Sequence, residues 1–239
     1  MPQTLKRIWR IARIPLGVVL LLYVGLVIYR VPAAFERQKT QDVVAQIHAQ
    51  KLTLADVNGE NLPPVPDPAL VDTTIEGVDA NKNGIRDDVE LAIFKKYPDS
   101  ARIRAAELQY AMALQNEMTS NVFNSETLIA VMQQEDRAYF CIGDAVPNQS
   151  PDILSKKTDD LAFNITTRKQ RHQDIFSSYM SSFKSVGGLH CDIDLTSLPN
   201  YAQKIFRFLR YHSPAIPENL KRSRKRYCFA RRQGHKRQH

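Results

Sequence analysis

SARIRAAELQYAMALQNEMT, residues 100–119, sets the class to which the chain belongs. Ile103, Ala106, Tyr110, Leu114 and Met118 recur at three- and four-residue intervals, the spacing that gathers side chains on one face of an α-helix. The rest of the segment is rich in alanine, the strongest helix former. The same period continues on both sides. From residue 87, Val89, Ala92, Ile93 and Tyr97 line one face. A further helix starts at Asn124 or Ser125, both good N-caps. It carries Leu128, Met132, Tyr139 and Phe140 before Gly143 to Pro151 breaks it. A fourth runs from Pro151 to Phe183, with room for an interruption. It turns Leu161, Ile165, Ile175, Phe176, Tyr179 and Phe183 inward, and Gly187-Gly188 ends it. A short helix between Asn200 and Tyr211 precedes Pro214 and Pro217. Runs of strictly alternating residues are scarce, so the expectation is an all-α fold, a small helical bundle. The apolar stripes are read as core packing.

Upstream of the bundle, residues 35–57 read as a helix on Val43, Val44, Ile47 and Leu54, ended by Asn58-Gly59. Residues 61–68, NLPPVPDP, hold four prolines in eight positions and form an extended connector. Further back, Ile14 to Tyr29 read IPLGVVLLLYVGLVIY, sixteen residues without a charge. A spanning helix needs about 20 apolar residues, with roughly 17 as the lower limit. The run reaches that length when Arg13 and Arg30 snorkel toward the headgroups, and Trp9 and Tyr29 suit the two interfaces. Four basic residues precede the span, which favours an inside N-terminus and a translocated remainder. A cleaved signal peptide is the competing reading, but Arg30 and Pro32 flank the small residues Val31, Ala33 and Ala34 poorly for cleavage. The expected organisation is a basic cytoplasmic segment 1–13, a transmembrane anchor 14–30, a stalk helix 31–60, a proline-rich connector 61–78, a helical domain 79–220 and a basic disordered tail 221–239. The expected location is the inner, cytoplasmic membrane, single-pass, with the C-terminal domain in the periplasm.

The net charge of +8 hides an uneven distribution. Every acidic residue lies between Glu36 and Glu218, while the two ends carry only basic ones. Residues 31–220 hold 19 basic against 25 acidic side chains, a net −6, so composition does not point to a specific nucleic-acid-binding domain. The tail KRSRKRYCFARRQGHKRQH could contact anionic lipid headgroups or other polyanions. Of three cysteines, Cys141 and Cys191 are the expected disulfide pair if the domain is exported, with Cys228 left over. No zinc spacing is present.

The chemistry is concentrated in DANKNGIRDDVE, residues 79–90. Asp79, Asn81, Asn83, Asp87 and Glu90 place oxygen-bearing side chains at alternate positions of a curled loop and one turn into the helix that follows. Gly84 falls where the chain must turn sharply. Calcium is a hard cation that takes six to eight oxygens in a flexible shell, which such a loop can supply. Asp87 and Asp88 also suit the positive N-terminal end of that helix.

This loop resembles the EF-hand family of calcium-binding loops, over these twelve residues alone. The resemblance implies Ca2+ as the ion and Asp79, Asn81, Asn83, Ile85 through its carbonyl, Asp87 and Glu90 as ligands. Two departures matter. Arg86 stands where the family has a branched apolar residue, with Ile85 one position earlier, an order similar to extracellular calcium repeats of the thrombospondin type 3 kind. PALVDTTIEGV before the loop is a weak helix candidate, and no paired second loop is visible: 144–150 and 191–197 lack the glycine and the spacing. A local structural clamp is therefore expected in place of a sensor. The anionic ligands number three, with Lys82 and Arg86 close by, which suits a weak site of roughly 10⁻⁴ to 10⁻³ M.

No GxSxG, HExxH, P-loop or dinucleotide fingerprint occurs, and the six histidines are scattered. Asp159-Asp160 and the pair Asp192 and Asp194 read as solvated or capping residues. The build resembles single-span bacterial envelope proteins with such a loop. The expected function is a membrane-anchored extracytoplasmic calcium-binding protein, an interaction or scaffold module with an envelope protein as partner. The alternative is a calcium-stabilised envelope or cell-wall hydrolase.

Overall fold

The computed structural model describes residues 3–179, 182–185 and 187–198. The helix expected between Asn200 and Tyr211, the basic tail and Cys228 lie outside the described residues. Those described form eight α-helices and no β-strand element: α1 (Gln3–Ala49), α2 (Leu54–Asn58), α3 (Pro68–Val71), α4 (Asp87–Lys96), α5 (Ala101–Thr119), α6 (Ser125–Ala145), α7 (Asp152–Ala162) and α8 (Thr166–Tyr179).

The N-terminal helix is continuous across the expected anchor and stalk, with Pro15 and Pro32 inside it. At 1.5 Å per residue it is about 70 Å long. Its apolar side chains from Leu16 to Phe35 stand exposed, and one window within it has a mean hydropathy of 2.1. It is long and apolar enough to cross a membrane. It ends at Ala49, not at Asn58 as expected, because Leu52 turns into the core and Thr53 starts a new helix. The Thr53 hydroxyl accepts from the Asp56 backbone N–H while the Asp56 carboxylate accepts from the Thr53 N–H, a reciprocal cap for α2. Gly59, at φ 79°, closes it.

The central helix is α5. Fifteen of its 19 residues are buried, so the expected stripe is only part of its contact surface, and α2, α4, α6, α7 and α8 all pack on it. One apolar cluster joins Leu52, Val57, Ile85, Val89, Ile93, Leu108, Met112, Ile142, Leu154 and Leu195. A second joins Ile47 to Leu128, Val131 and Ile175, with Val43, Val44 and Phe176 against it. The second cluster seats the last turns of α1 on α6 and α8.

Two expected boundaries move. Helix α6 runs through Gly143 to Ala145, since Cys141, Ile142 and Ala145 are buried on its inner face. The helix expected over 151–183, with room for an interruption, is broken into α7 and α8. The cause is distant in sequence: the Arg86 guanidinium donates to the carbonyls of Leu161 (2.7 Å) and Ala162 (3.1 Å), satisfying the end of α7.

After α8 the chain returns over α5 and α6. Cys141 and Cys191 are joined by a disulfide, the expected pairing. Asp192 departs from the solvated reading. Its side chain is 2% exposed, pairs with Arg137 at 2.6 Å and Lys51 at 3.3 Å, and accepts from the Leu52 N–H. A carboxylate 140 residues downstream thus fixes the chain where α1 ends. Asp194 instead accepts from the Thr196 N–H, the local capping role expected of it.

Candidate metal centre

The loop 79–90 closes on itself through Asp87, whose backbone N–H donates to the Val78 carbonyl at 2.8 Å. The Asp79 carboxylate accepts from the N–H groups of Asn83 (3.2 Å) and Gly84 (3.0 Å), which bends the chain around it. The Asn83 side-chain oxygen accepts from the Ile85 N–H at 2.9 Å, and the Asp87 carboxylate from the Ala80 N–H at 3.0 Å. Lys82 (φ 57°) and Gly84 (φ 81°) take left-handed backbone. A side chain at Gly84 would meet the end of the Gln50 side chain, which can swing aside. Glycine is favoured there by the left-handed backbone.

No helix leads directly into the loop: α3 ends at Val71, and turns carry the chain to Val78. On the far side Asp87 opens α4. Ile85 is fully buried in the main core. Arg86, in the position the family gives to an apolar residue, is 2% exposed and points away from the loop, held by Asp88 at 2.5 Å and the end of α7. The expectation that Arg86 offsets the loop's charge is therefore weakened, since its guanidinium is spent elsewhere.

The carboxylates of Asp87 and Glu90 are fully buried. Burial pushes the Glu90 carboxyl up to about 7, opposed by the Asn81 and Asn83 amides and reinforced by Asp56 and Asp87. Burial likewise raises Asp87, against the Ala80 N–H and with Asp79 and Asp88. One Glu90 oxygen accepts from the Asn81 amide at 3.1 Å; the Asn83 amide lies near the carboxylate but makes no hydrogen bond of regular geometry, and the other Glu90 oxygen has no partner by that measure. A buried carboxylate oxygen without a donor is costly, and a cation answers that need.

The fit to calcium has two sides. All six implied ligand residues share one compact loop, and an unpartnered oxygen lies within it. Against this, among the described residues no group of three or more His, Cys, Asp and Glu side chains converges as a metal cluster. Asn81 presents its amide nitrogen to Glu90 and to the Asn61 carbonyl (2.7 Å). Ligation would take its oxygen inward. Three neighbours escaped the sequence reading: Gln50 over Gly84, Asn61 on Asn81, and the buried Asp56 behind Glu90. They lie outside the twelve-residue spacing, and no local pattern marks them.

Compared with family models, curated proteins and solved structures, the chain matches none.

The raised carboxyls make any cation binding pH-dependent. Metal must displace the proton that Glu90 holds, so calcium affinity is expected to rise with pH and level off above about 7. Below that value one released proton costs about tenfold in affinity per pH unit. Calcium titration at pH 5.5, 6.5 and 8 checks this; a flat profile would exclude Glu90 as a ligand.

Proposed function

We propose that this protein is a membrane-anchored calcium-binding module whose helical domain sits outside the cytoplasm and serves as an interaction or scaffold element of the cell envelope. Residues 79–90 hold one structural calcium ion through Asp79, Asn81, Asn83, the Ile85 carbonyl, Asp87 and Glu90. The observation that carries this reading is the fully buried Glu90 carboxylate with one unpartnered oxygen, in a loop that already turns Asp79 and Asp87 to their places. The disulfide supports an oxidising compartment, and the exposed apolar face of α1 supports the anchor. The basic tail would add contact with anionic lipid.

In this reading calcium is a staple. It ties the connector before the loop to α4, the first helix packed on α5. At about 1 mM calcium and a dissociation constant near 0.1 mM, the stabilisation is roughly 1.4 kcal/mol. For a domain of this size that is about 3–6 °C in melting temperature. Melts of the full chain in detergent, with calcium and with chelator, check it. Asp79→Ala should abolish the difference, and an unchanged wild-type melting temperature at millimolar calcium would refute the staple.

A further inference from the structure

We propose that α8 is held on the bundle by a proton-dependent latch made of His172 on α8 and Glu117 on α5, which loosens as the pH rises.

Helix α8, TTRKQRHQDIFSSY, has little apolar surface with which to hold itself in place, and only Arg168 and Ile175 are fully buried. Midway between them lies His172, half-buried, with its Nδ1 edge turned to the bundle. Its Nδ1 lies 2.8 and 3.0 Å from the two oxygens of Glu117, which is fully buried. The rings of Phe163 and Phe176 flank the imidazole, with centroids 4.9 and 4.6 Å away. Glu135 approaches the same Glu117 from α6, and one of its oxygens is buried without a partner. From α7, Asp159 adds a third carboxylate, accepting from the Tyr110 hydroxyl at 2.9 Å. The other charged groups facing the cluster are Glu107 on α5, Asp160 and Lys156 on α7, and Arg171 on α8, which donates to the Ser120 carbonyl.

Protonation of His172 decides how well α8 is held. An imidazolium answers the buried Glu117 carboxylate, which Glu135 and Asp159 otherwise crowd with like charge. Glu117 holds His172 above 6.5, against its own burial. Burial, with Glu117 beside it, raises Glu135, and burial raises Asp159, but both keep these neighbours on α5, α6 and α7 whether or not α8 is docked. His172 binds its proton more tightly docked, beside Glu117, than undocked. Docking therefore weakens as pH rises. His172 contributes in full below about 6.5 and nothing above its raised value. Undocking α8 uncovers Ile175 and its partners Ile47, Leu128 and Val131, the cluster that seats the end of α1. The latch thus controls how firmly the membrane helix is joined to the domain.

Hydrogen exchange of the full chain in detergent micelles tests this, under excess calcium so that the 79–90 loop stays deprotonated. Between pH 6 and pH 9, after correction for intrinsic rates, α8 should lose several-fold in protection while α5 keeps its own. His172→Gln keeps a hydrogen-bond donor and removes the titration, and should flatten that dependence. Wild-type protection that does not change with pH, or a His172→Gln slope equal to wild type, overturns the latch. If His172→Gln does not fold, His172→Asn replaces it: a reduced slope supports the latch and an unchanged slope overturns it.

Discussion

Replacing Arg168 with alanine is expected to cost about 2–4 kcal/mol, from the loss of several hydrogen bonds worth roughly 0.5–1.5 kcal/mol each, some of them to groups that water can reach. Arg168 is fully buried on α8. Its guanidinium donates to Asp72 (2.7 Å), to the Asn164 side-chain oxygen (2.5 Å), and to the carbonyls of Val71 (2.8 Å), Thr74 (3.1 Å) and Ile75 (2.8 Å). Four of the five acceptors lie between the last residue of α3 and Ile75, on the approach to loop 79–90. The turns there leave carbonyls without helical partners, and Arg168 supplies donors to them. Removing it leaves these acceptors without their donor and frees the approach to Asp79. Arg168→Lys should rescue little, because an ammonium cannot span the planar fork that these five acceptors occupy. Denaturant unfolding of both variants measures the effect. A loss below about 1 kcal/mol, the value of an exposed ion pair, would show that the network is not formed.

The second large effect is expected from the disulfide. Cys141 and Cys191 are separated by 50 residues. In the chain-entropy account a loop of that length contributes about 4 kcal/mol by restricting the unfolded chain. The bridge also keeps the returning segment in place, with Leu195 in the main core and Asp192 on Arg137 and on the Leu52 N–H. Cys141→Ala with Cys191→Ala should therefore lower the melting temperature by roughly 8–16 °C. Cys141 is fully buried, so mild reductant should act slowly on the folded protein. A double variant that melts with the wild type would mean that the bridge is not formed in solution.

The helices were legible in sequence where the cause of a helix is local. The stripe on α5 and the Asn124 cap of α6 each depend on residues within one or two turns. The loop 79–90 was legible for the same reason, since its proposed ligands fall inside twelve residues. Features set by distant partners were not legible. The break between α7 and α8 follows from Arg86, about 75 positions earlier, whose guanidinium takes the last carbonyls of α7. Periodicity also captured only part of α5. Glu107, Gln109, Gln115 and Glu117 fall outside its apolar stripe, yet all four are buried, answered by Thr158, the His190 carbonyl, the Glu76 carbonyl and His172. Those partners come from other elements, so no window along α5 contains them. Asp192 was misread for the same reason, its cations being Lys51 and Arg137.

Burial of Glu90 connects the loop's composition to its proposed job. A carboxylate there is unfavourable without a cation, and the raised carboxyls of Asp87 and Glu90 mean that an ion-free loop loses stability as pH climbs from about 4.5 through about 7. A calcium ion bound as proposed would remove that penalty. The measurement that tests the assignment most directly is calorimetric titration of calcium into the full chain at pH 8, beside Glu90→Gln. One ion per chain at submillimolar to millimolar affinity, lost in Glu90→Gln, is the predicted result. No binding heat up to several millimolar calcium, or equal binding by the variant, would contradict a calcium site at residues 79–90.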